Sequence, residues 1–270
     1  MPYLTTNGTE LYYESTGTGP ETIVFSHGLL WSGHMFHSQV AALRNRYRVI
    51  TYDHRGQGRS RVTREGYDMD TVYEDVVGLI EQLGVGPCHF AGLSMGGFMG
   101  MRLAARRPDL IKSLTLLETS ADPEPAENVP KYQRLCTVVK WLGTWPVVDP
   151  VMKIMFGKTF LTDPSRAAER QHWIDQLKQN KRTIVRAVQG AIDRKGVFDE
   201  LKNITAPTLV IVGDEDVATV PAKAQRIHDN IAGSRLVIVP GAGHSSSVEQ
   251  PEAVNEAITS FLKSINSSNR

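Results

Sequence analysis

The chain has 270 residues, of which 41% are hydrophobic and 22% are charged, the balance usual for a globular protein of one large domain. Its 30 basic and 29 acidic side chains leave a formal net charge of +1, which predicts neither a nucleic-acid partner nor an anionic membrane. The start, MPYLTTNGTE, lacks the basic and apolar segments of a signal peptide, and Cys88 and Cys136 suit free thiols in a reducing compartment. We expect a cytoplasmic protein, a monomer or a homodimer, without a metal site.

Short apolar runs typical of strands recur through the first 120 residues, and they are YLTT, TELYYEST, TIVFSHG, RYRVITYD, PCHFAGLS and IKSLTLLE. Asn7-Gly8 joins the first two runs, and this dipeptide favours a tight hairpin turn. Apolar residues at helical spacing predict a helix over 68–83, and GGFMGMRLAARR predicts another that ends before Pro108. Strands that alternate with helices indicate a mostly parallel sheet with helices on both faces.

This alternation stops near Ala121 and resumes near residue 201. The stretch ADPEPAENVP is rich in proline and acidic residues, and helical patterns without a clear strand follow it to about Glu200. The α/β pattern then continues with PTLVIVGDED, a helix from about Pro221, SRLVIVPGAGH and a helix over 251–262. We therefore predict an α/β core formed by residues 1–120 and 201–270, with a helical cap formed by residues 121–200.

Ser94 lies in the glycine-rich stretch FAGLSMGGFMG. A P-loop would require a lysine followed by serine or threonine, and a dinucleotide-binding loop would require G-x-G-x-x-G; this stretch has neither. Gly92-Leu93-Ser94-Met95-Gly96 does fit G-x-S-x-G, the nucleophile elbow, in which a strained turn between strand and helix exposes the serine. Glycine removes the Cβ atoms that would clash in such a turn. The alternative, a serine in a helix-capping loop, is disfavoured because a predicted strand precedes the stretch and a predicted helix follows it.

A nucleophilic serine needs a base and a group that orients the base. His244 follows the last apolar strand at its carboxyl end, where open α/β sheets bind ligands. Three carboxylates follow strands: Asp214, Asp216 and Glu118. We favour Asp216 because its loop has room to swing the carboxylate toward His244. We expect the Asp214 carboxylate to hydrogen-bond its own turn instead. The predicted triad is Ser94, Asp216 and His244.

The order of these three residues resembles that of the α/β-hydrolase superfamily. The motifs that carry the resemblance span nearly the whole chain, and they are FSHGLLWSG, YDHRGQGRS, GLSMGG, VGDED and PGAGH. The sequence is most similar to the 3-oxoadipate enol-lactonase and acyl-homoserine lactonase groups of small capped enzymes. The resemblance implies an α/β-hydrolase fold with a helical cap, and an oxyanion hole formed by the N–H groups of Leu29 and Met95. It also implies that RGQG at 55–58 is a structural turn.

The resemblance implies a serine hydrolase that cleaves a carboxylic ester or lactone through an acyl-enzyme on Ser94, without a metal or organic cofactor. We expect the substrate to be a fairly apolar small molecule, because the basic residues of the cap are scattered along its sequence. The residues expected to line the pocket are Leu30, Trp31, Trp141, Trp145, Met155 and Phe156. Three alternatives stay open: a cofactor-free haloperoxidase or perhydrolase with the same triad, a carbon–carbon hydrolase or iminopeptidase that differs in cap chemistry, and a slow-turnover ligand receptor on the same fold.

Overall fold

The structure, a computed structural model, describes residues 2–268. Its strands are β1 (Tyr3–Thr6), β2 (Thr9–Thr16), β3 (Thr22–Ser26), β4 (Arg48–Tyr52), β5 (Cys88–Leu93), β6 (Ile111–Leu117), β7 (Thr208–Gly213) and β8 (Arg235–Val239). They form one sheet in the order β1-β2-β4-β3-β5-β6-β7-β8. The pairs β1–β2 and β2–β4 are antiparallel, and every other pair is parallel. The predicted mostly parallel sheet is confirmed.

The helices within this range are α1 (His37–Leu43), α2 (Met69–Gln82), α3 (Met95–Arg106), α4 (Val129–Leu142), α5 (Val148–Met155), α6 (Lys158–Thr162), α7 (Ala167–Lys178), α8 (Val185–Ile192), α9 (Pro221–Asn230), α10 (Ser246–Glu249) and α11 (Pro251–Ser268). Helix α2 matches the pattern seen at 68–83, and it begins where the Asp68 side chain accepts a hydrogen bond from the Thr71 N–H. Helix α11 continues beyond the expected end at residue 262.

The predicted hairpin at Asn7-Gly8 joins β1 to β2. Asn7 has φ 43° and Gly8 has φ 73°, so both turn residues adopt the left-handed backbone that a tight two-residue hairpin turn requires. The hairpin thereby adds its two antiparallel strands at one edge of the sheet. The remaining strands are parallel, and the loops that follow them extend from their carboxyl ends.

Two apolar clusters cover the two faces of the sheet. Alternate residues of β3 point to opposite clusters: Phe25 packs in the cluster that includes Phe261 of α11, and Val24 packs in the cluster that includes Leu79 of α2. Helices α1 and α11 therefore lie on one face, and α2, α3 and α9 lie on the other. This is the doubly covered sheet that alternating strands and helices predict.

Helices α4 to α8 form one insertion between β6 and β7, inside the predicted bounds of 121–200. The insertion packs on the core through a shared apolar cluster, in which Trp173 of the insertion meets Trp31 of the core with ring centroids 5.2 Å apart. We refer to residues 121–200 as the cap. Across residues 2–268, every helix is too short or too polar to cross a membrane.

Candidate active site

Ser94 occupies a sharp turn between the end of β5 and the start of α3. Its backbone has φ 53° and ψ −110°, a conformation that costs energy for a residue with a side chain. A Cβ atom on Gly92 would lie 2.2 Å from the Gly96 carbonyl oxygen, and one on Gly96 would lie 2.0 Å from the Ser26 carbonyl oxygen. Both glycines of the G-x-S-x-G pattern are therefore required by close backbone contacts.

The structure brings together the three residues of the predicted triad. The Ser94 Oγ lies 2.9 Å from the His244 Nε2, and the His244 Nδ1 lies 2.9 Å from the Asp216 Oδ2. Asp214 is occupied elsewhere, since its Oδ1 accepts a hydrogen bond of 2.7 Å from the Gly241 N–H. The geometry thus selects Asp216 over Asp214 as the partner of the imidazole.

Glu118, the third acidic candidate, is fully buried at the end of β6 and has φ 42°. Burial raises the pKa of its carboxyl well above the usual value, and the neighbouring charge of Asp216 raises it further. Both effects favour the neutral form of this carboxyl. The His244 Nδ1–H donates its hydrogen bond to Asp216 and not to Glu118.

Asp216 is held in its ionised form by the groups around it. Its Oδ1 accepts hydrogen bonds from the N–H groups of Ala218 and Thr219, and its Oδ2 accepts one of 2.7 Å from the Thr219 hydroxyl. Burial acts to raise its pKa, but the charge of His244 and these hydrogen bonds outweigh burial and lower the pKa to about 2. An ionised Asp216 accepts the Nδ1–H of His244 and leaves Nε2 able to take the Ser94 proton.

Thr219 was missed by the sequence analysis, although Asp216 and Thr219 stand three residues apart in DVAT. That spacing is typical of an aspartate whose carboxylate accepts bonds from the turn that follows it. The Thr219 Oγ1 also lies 3.2 Å from the His244 Nδ1, so the hydroxyl contacts both the Asp216 carboxylate and the His244 imidazole. The sequence offered this signal only once Asp216 was chosen.

Glu249 was also missed, and it fixes the loop that carries His244. Its buried carboxylate accepts hydrogen bonds from the N–H groups of Gly243 and Ser245, which flank the histidine, and from Gly157 of the cap. Burial raises the pKa of Glu249 to about 7, and the three N–H donors and the charge of His244 partly oppose that shift. The histidine loop and the cap therefore share one anchor.

The two backbone donors expected for an oxyanion hole border the same space as Ser94. Met95 is the first residue of α3, so its N–H has no acceptor within the helix. Leu29 lies between two anchored neighbours: the Gly28 N–H contacts the Met35 Sδ at 3.4 Å, and the Leu30 N–H donates to the Gln57 Oε1 at 2.9 Å. Both neighbours of Leu29 are thus anchored, and preorganised donors are what transition-state stabilisation requires.

His27 and the loop at 55–58 support this turn. The His27 Nε2 accepts a hydrogen bond of 2.9 Å from the His54 N–H, and its Nδ1 lies 2.7 Å from the Gly28 carbonyl oxygen. Burial lowers the pKa of both imidazoles, so each stays neutral. Gln57, from RGQG, supplies the acceptor for the Leu30 N–H. These residues have a structural part in the site.

A cavity of about 160 Å³ opens beside Ser94 and His244. The core side contributes Leu29, Leu30 and Met95. The cap contributes mostly apolar side chains, which include Leu135, Val139, Val147, Val151, Ile154, Met155, Val185 and Val188. Two of the six expected pocket residues, Leu30 and Met155, therefore lie in this wall.

The structure corrects the expectation for the other four. Trp141 and Trp145 are each 69% exposed on the outer side of the cap. Trp31 and Phe156 are buried, but they pack against each other with ring centroids 5.8 Å apart at the joint between core and cap. The physical reason is helical phase: Val139 faces the cavity, and Trp141, two residues later, points to the opposite side of α4.

Within 2–268, no three His, Cys, Asp or Glu side chains are placed to share a metal ion. Cys88 is buried and Cys136 borders the cavity, and both are free thiols.

A profile of the α/β-hydrolase fold family matches residues 21–251, well over half of the sequence. The chain belongs to this family. The fold and the hydrolase class expected from the sequence are thereby confirmed. Among solved structures, this hydrolase is similar to the enol-lactonase of Burkholderia xenovorans LB400, with 31% identity and a TM-score of 0.90 over 97% of this chain and 100% of the other.

Two further structures show the range of named activities around this hydrolase. A thermophilic esterase from Thermogutta terrifontis is 28% identical, with a TM-score of 0.88 over 98% of this chain and 97% of the other. A bromoperoxidase from Bacillus anthracis is 30% identical, with a TM-score of 0.84 over 94% of this chain and 96% of the other. Such similarity establishes the family and leaves the substrate to be argued from the cavity.

Proposed function

We propose that this chain is a serine hydrolase that cleaves a neutral, apolar carboxylic ester or lactone through an acyl-enzyme on Ser94. The observation that carries the proposal is the unbroken hydrogen-bonded series from Ser94 Oγ through His244 to Asp216, which ends at an apolar cavity. The names of the related enol-lactonase and esterase support the same substrate class.

The proposed reaction has two halves. Ser94 Oγ attacks the acyl carbon while His244 Nε2 accepts its proton, and the N–H groups of Leu29 and Met95 stabilise the oxyanion. The bond from carbon to the alkoxy oxygen then breaks, and Nε2 returns the proton to that oxygen. Water attacks the acyl-enzyme, again with His244 as the base, and releases the acid and the free serine. Asp216 stays ionised throughout and orients the imidazole.

The preference for a neutral substrate rests on Arg194. In the part of the wall that the structure describes, it is the only guanidinium or ammonium group. Its Nη1 donates to the Glu124 Oε2 at 2.7 Å and to the Ala191 carbonyl oxygen at 2.9 Å, and its Nε donates to the Asp122 carbonyl oxygen. An anionic substrate would have to displace Glu124 from a buried ion pair, which is costly.

A substrate panel tests both parts of the proposal. It contains p-nitrophenyl esters of increasing chain length, neutral lactones, acyl-homoserine lactones and an anionic enol-lactone. We expect kcat/KM for neutral substrates to exceed that for the anionic lactone by roughly tenfold or more. The Ser94→Ala variant should lose about 10⁶-fold in kcat, with Ser38→Ala, a change at another serine, as the control. Wild-type turnover by Ser94→Ala would overturn the acyl-enzyme mechanism.

A second candidate activity is peroxide-dependent halogenation. The observation that favours it is the name of the related bromoperoxidase, together with a cavity in which hydrogen peroxide could replace water as the second nucleophile. Peroxide attack on the acyl-enzyme would release a peracid, and the peracid would oxidise bromide in solution. Bromination of monochlorodimedone that requires peroxide, bromide, a carboxylic acid and Ser94 would establish this activity.

A further inference from the structure

An apolar patch stands exposed on the outer side of the cap. It consists of Trp141, Leu142 and Trp145, which are 69%, 57% and 69% exposed. Three large apolar side chains within five residues are unusual for a surface in contact only with water, and exposed apolar patches commonly mark interaction sites. We call these three residues the Trp141–Trp145 patch.

The surface around this patch is strongly basic. Residues 129–148 and 176–192 contain no carboxylate, and their cations are all exposed: Lys131, Arg134, Lys140, Lys178, Lys181, Arg182 and Arg186. The two segments are joined in space, because α4 packs against α8 and against the turn at 182–184. The whole-chain charge of +1 hides this asymmetry, since the remainder of the chain carries a net negative formal charge.

Individual contacts bring the segments that carry the cations next to the segment that carries the two tryptophans. A Cβ atom on Gly143, between the two tryptophans, would lie 4.0 Å from the Arg182 Nε. The Thr144 hydroxyl lies 3.3 Å from the Lys178 carbonyl oxygen. Lys140 precedes Trp141 directly. Asp149, in the first turn of α5, is the nearest carboxylate in sequence to Trp145.

The chemistry of the patch favours one partner. A second copy of this chain would bring two basic faces together, and like charges oppose such a contact. Tryptophan and lysine side chains together suit the boundary of a bilayer, where indole rings sit among lipid headgroups and cations meet anionic phosphates. Because the helices of residues 2–268 do not span membranes, contact would be with the surface only.

We propose that the Trp141–Trp145 patch and its surrounding cations dock this protein on an anionic lipid surface. The same segment has its inner side in the cavity wall, where Val139, Thr144 and Val147 lie. Docking would therefore place the apolar cavity one chain segment away from the lipid. This inference goes beyond the proposed function, and lipid binding can be measured without catalysis.

Vesicle co-sedimentation tests the proposal. The purified chain is mixed with vesicles of phosphatidylcholine alone, or with vesicles that also contain phosphatidylglycerol. We expect binding to the anionic vesicles only, and weaker binding as salt rises. Trp31 and Trp173 are each 3% exposed, so a blue shift of tryptophan emission on binding would report the exposed pair.

Two sets of variants locate the binding surface. The triple change Lys140→Glu, Lys178→Glu and Arg182→Glu should weaken partitioning onto anionic vesicles by roughly 100-fold or more. The double change Trp141→Ser and Trp145→Ser should weaken it and remove the blue shift. The matched charge control, Arg44→Glu, Lys202→Glu and Arg235→Glu, changes three exposed cations outside the cap, and Ile238→Ser removes another exposed apolar residue. Both controls should bind as wild type does.

The outcomes are separable from those of the proposed function. Ser94→Ala should bind vesicles as wild type does, whatever its activity. Each patch variant should hydrolyse a water-soluble short ester at the wild-type rate, which shows that the variant is folded. Equal vesicle binding by wild type and patch variants would overturn the proposal, as would no binding at all. Binding to polyglutamate without binding to vesicles would also overturn it and would indicate an acidic protein as partner.

Discussion

The core side and the cap side of the cavity hold their residues in different ways. On the core side, Ser94, Asp216 and His244 are fixed by hydrogen bonds of 2.9 Å or less and by a backbone that permits few alternatives. On the cap side, side chains such as Val151 and Val188 meet the cavity through apolar contacts that have no preferred direction. Directional bonds fix chemistry, whereas apolar contacts fix only shape and volume.

This difference explains why one core can serve several reactions. Related structures named enol-lactonase, esterase and bromoperoxidase align with this chain over nearly its whole length. In this chain two carboxylates are among the groups that join the two sides. Glu249 accepts the Gly157 N–H, and Glu215 accepts the N–H and the hydroxyl of Thr159. A cap residue can therefore change without disturbing the triad, provided that these joints remain.

The largest expected effect comes from Asp216 on the core side. Asp216→Asn removes the charge that orients His244, and we expect kcat to fall by about 10⁴-fold. Asp214→Asn is the matched control, because an amide oxygen can still accept the Gly241 N–H that Asp214 binds. Steady-state kinetics on one neutral ester would measure kcat for both variants. Equal losses in the two variants would show that the histidine does not depend on Asp216 in particular.

The core side was the more predictable half. The elbow at Ser94 could be read from the sequence because close backbone contacts exclude every residue but glycine at 92 and 96. Asp216 and His244 could be placed because parallel strands end at one edge of the sheet. Thr219 and Glu249 could not, since each acts through the exact course of a loop, and a threonine or a glutamate in a loop carries no distinctive spacing until that course is known.

The next effect comes from the cap side, where volume should decide specificity. Val188→Phe adds a ring to a residue of α8 that lines the cavity. We expect kcat/KM for a long-chain p-nitrophenyl ester to fall roughly 100-fold, while the acetyl ester changes little, because only the long chain needs the lost space. Val138→Phe is the control, since Val138 is also half-buried in the cap but lies outside the wall. A uniform loss on all esters would contradict a role in chain-length preference.

The cap side was predicted less well for a physical reason. The sequence showed that the insertion is helical and aromatic, but burial of an aromatic side chain depends on the phase of its helix. Trp141 was expected in the pocket and stands outside it, whereas the smaller Val139 lines the wall. Trp31 and Phe156 were also expected in the pocket, but their rings pack against each other at the joint between core and cap.

A third effect tests the charge state of the core side through stability. The pKa of Asp216 is about 2 in the folded chain, against 3.8 for an unperturbed aspartate such as that of the unfolded chain. Its ionised form therefore stabilises the fold above about pH 4, and this effect is lost as pH falls toward 2. Asp216→Asn should therefore lower the free energy of unfolding by about 2 kcal/mol near neutral pH. Urea unfolding of both proteins at about pH 6 and about pH 3 would measure the difference. A difference that is constant or larger in acid would contradict this assignment.

The smallest effect separates the hydroxyl of Thr219 from its shape. Thr219→Val keeps the volume of a side chain that also borders the cavity, but it removes the 2.7 Å hydrogen bond to the Asp216 Oδ2. We expect kcat to fall about tenfold with little change in KM, because orientation of the acid is weakened while the wall is preserved.

Thr219→Ser restores the hydroxyl without the methyl group and should return kcat close to the wild-type value. Loss of the hydroxyl should also raise the pKa of Asp216, since that hydrogen bond helps to lower it. The loss of stability in acid, where Asp216 loses its charge, should therefore begin at a higher pH in Thr219→Val and not in Thr219→Ser. If Thr219→Val kept the wild-type kcat while Thr219→Ser lost it, Thr219 would act through its shape and not its hydroxyl. It would then belong with the shape-determined residues of the cavity and not with the hydrogen-bonded ones.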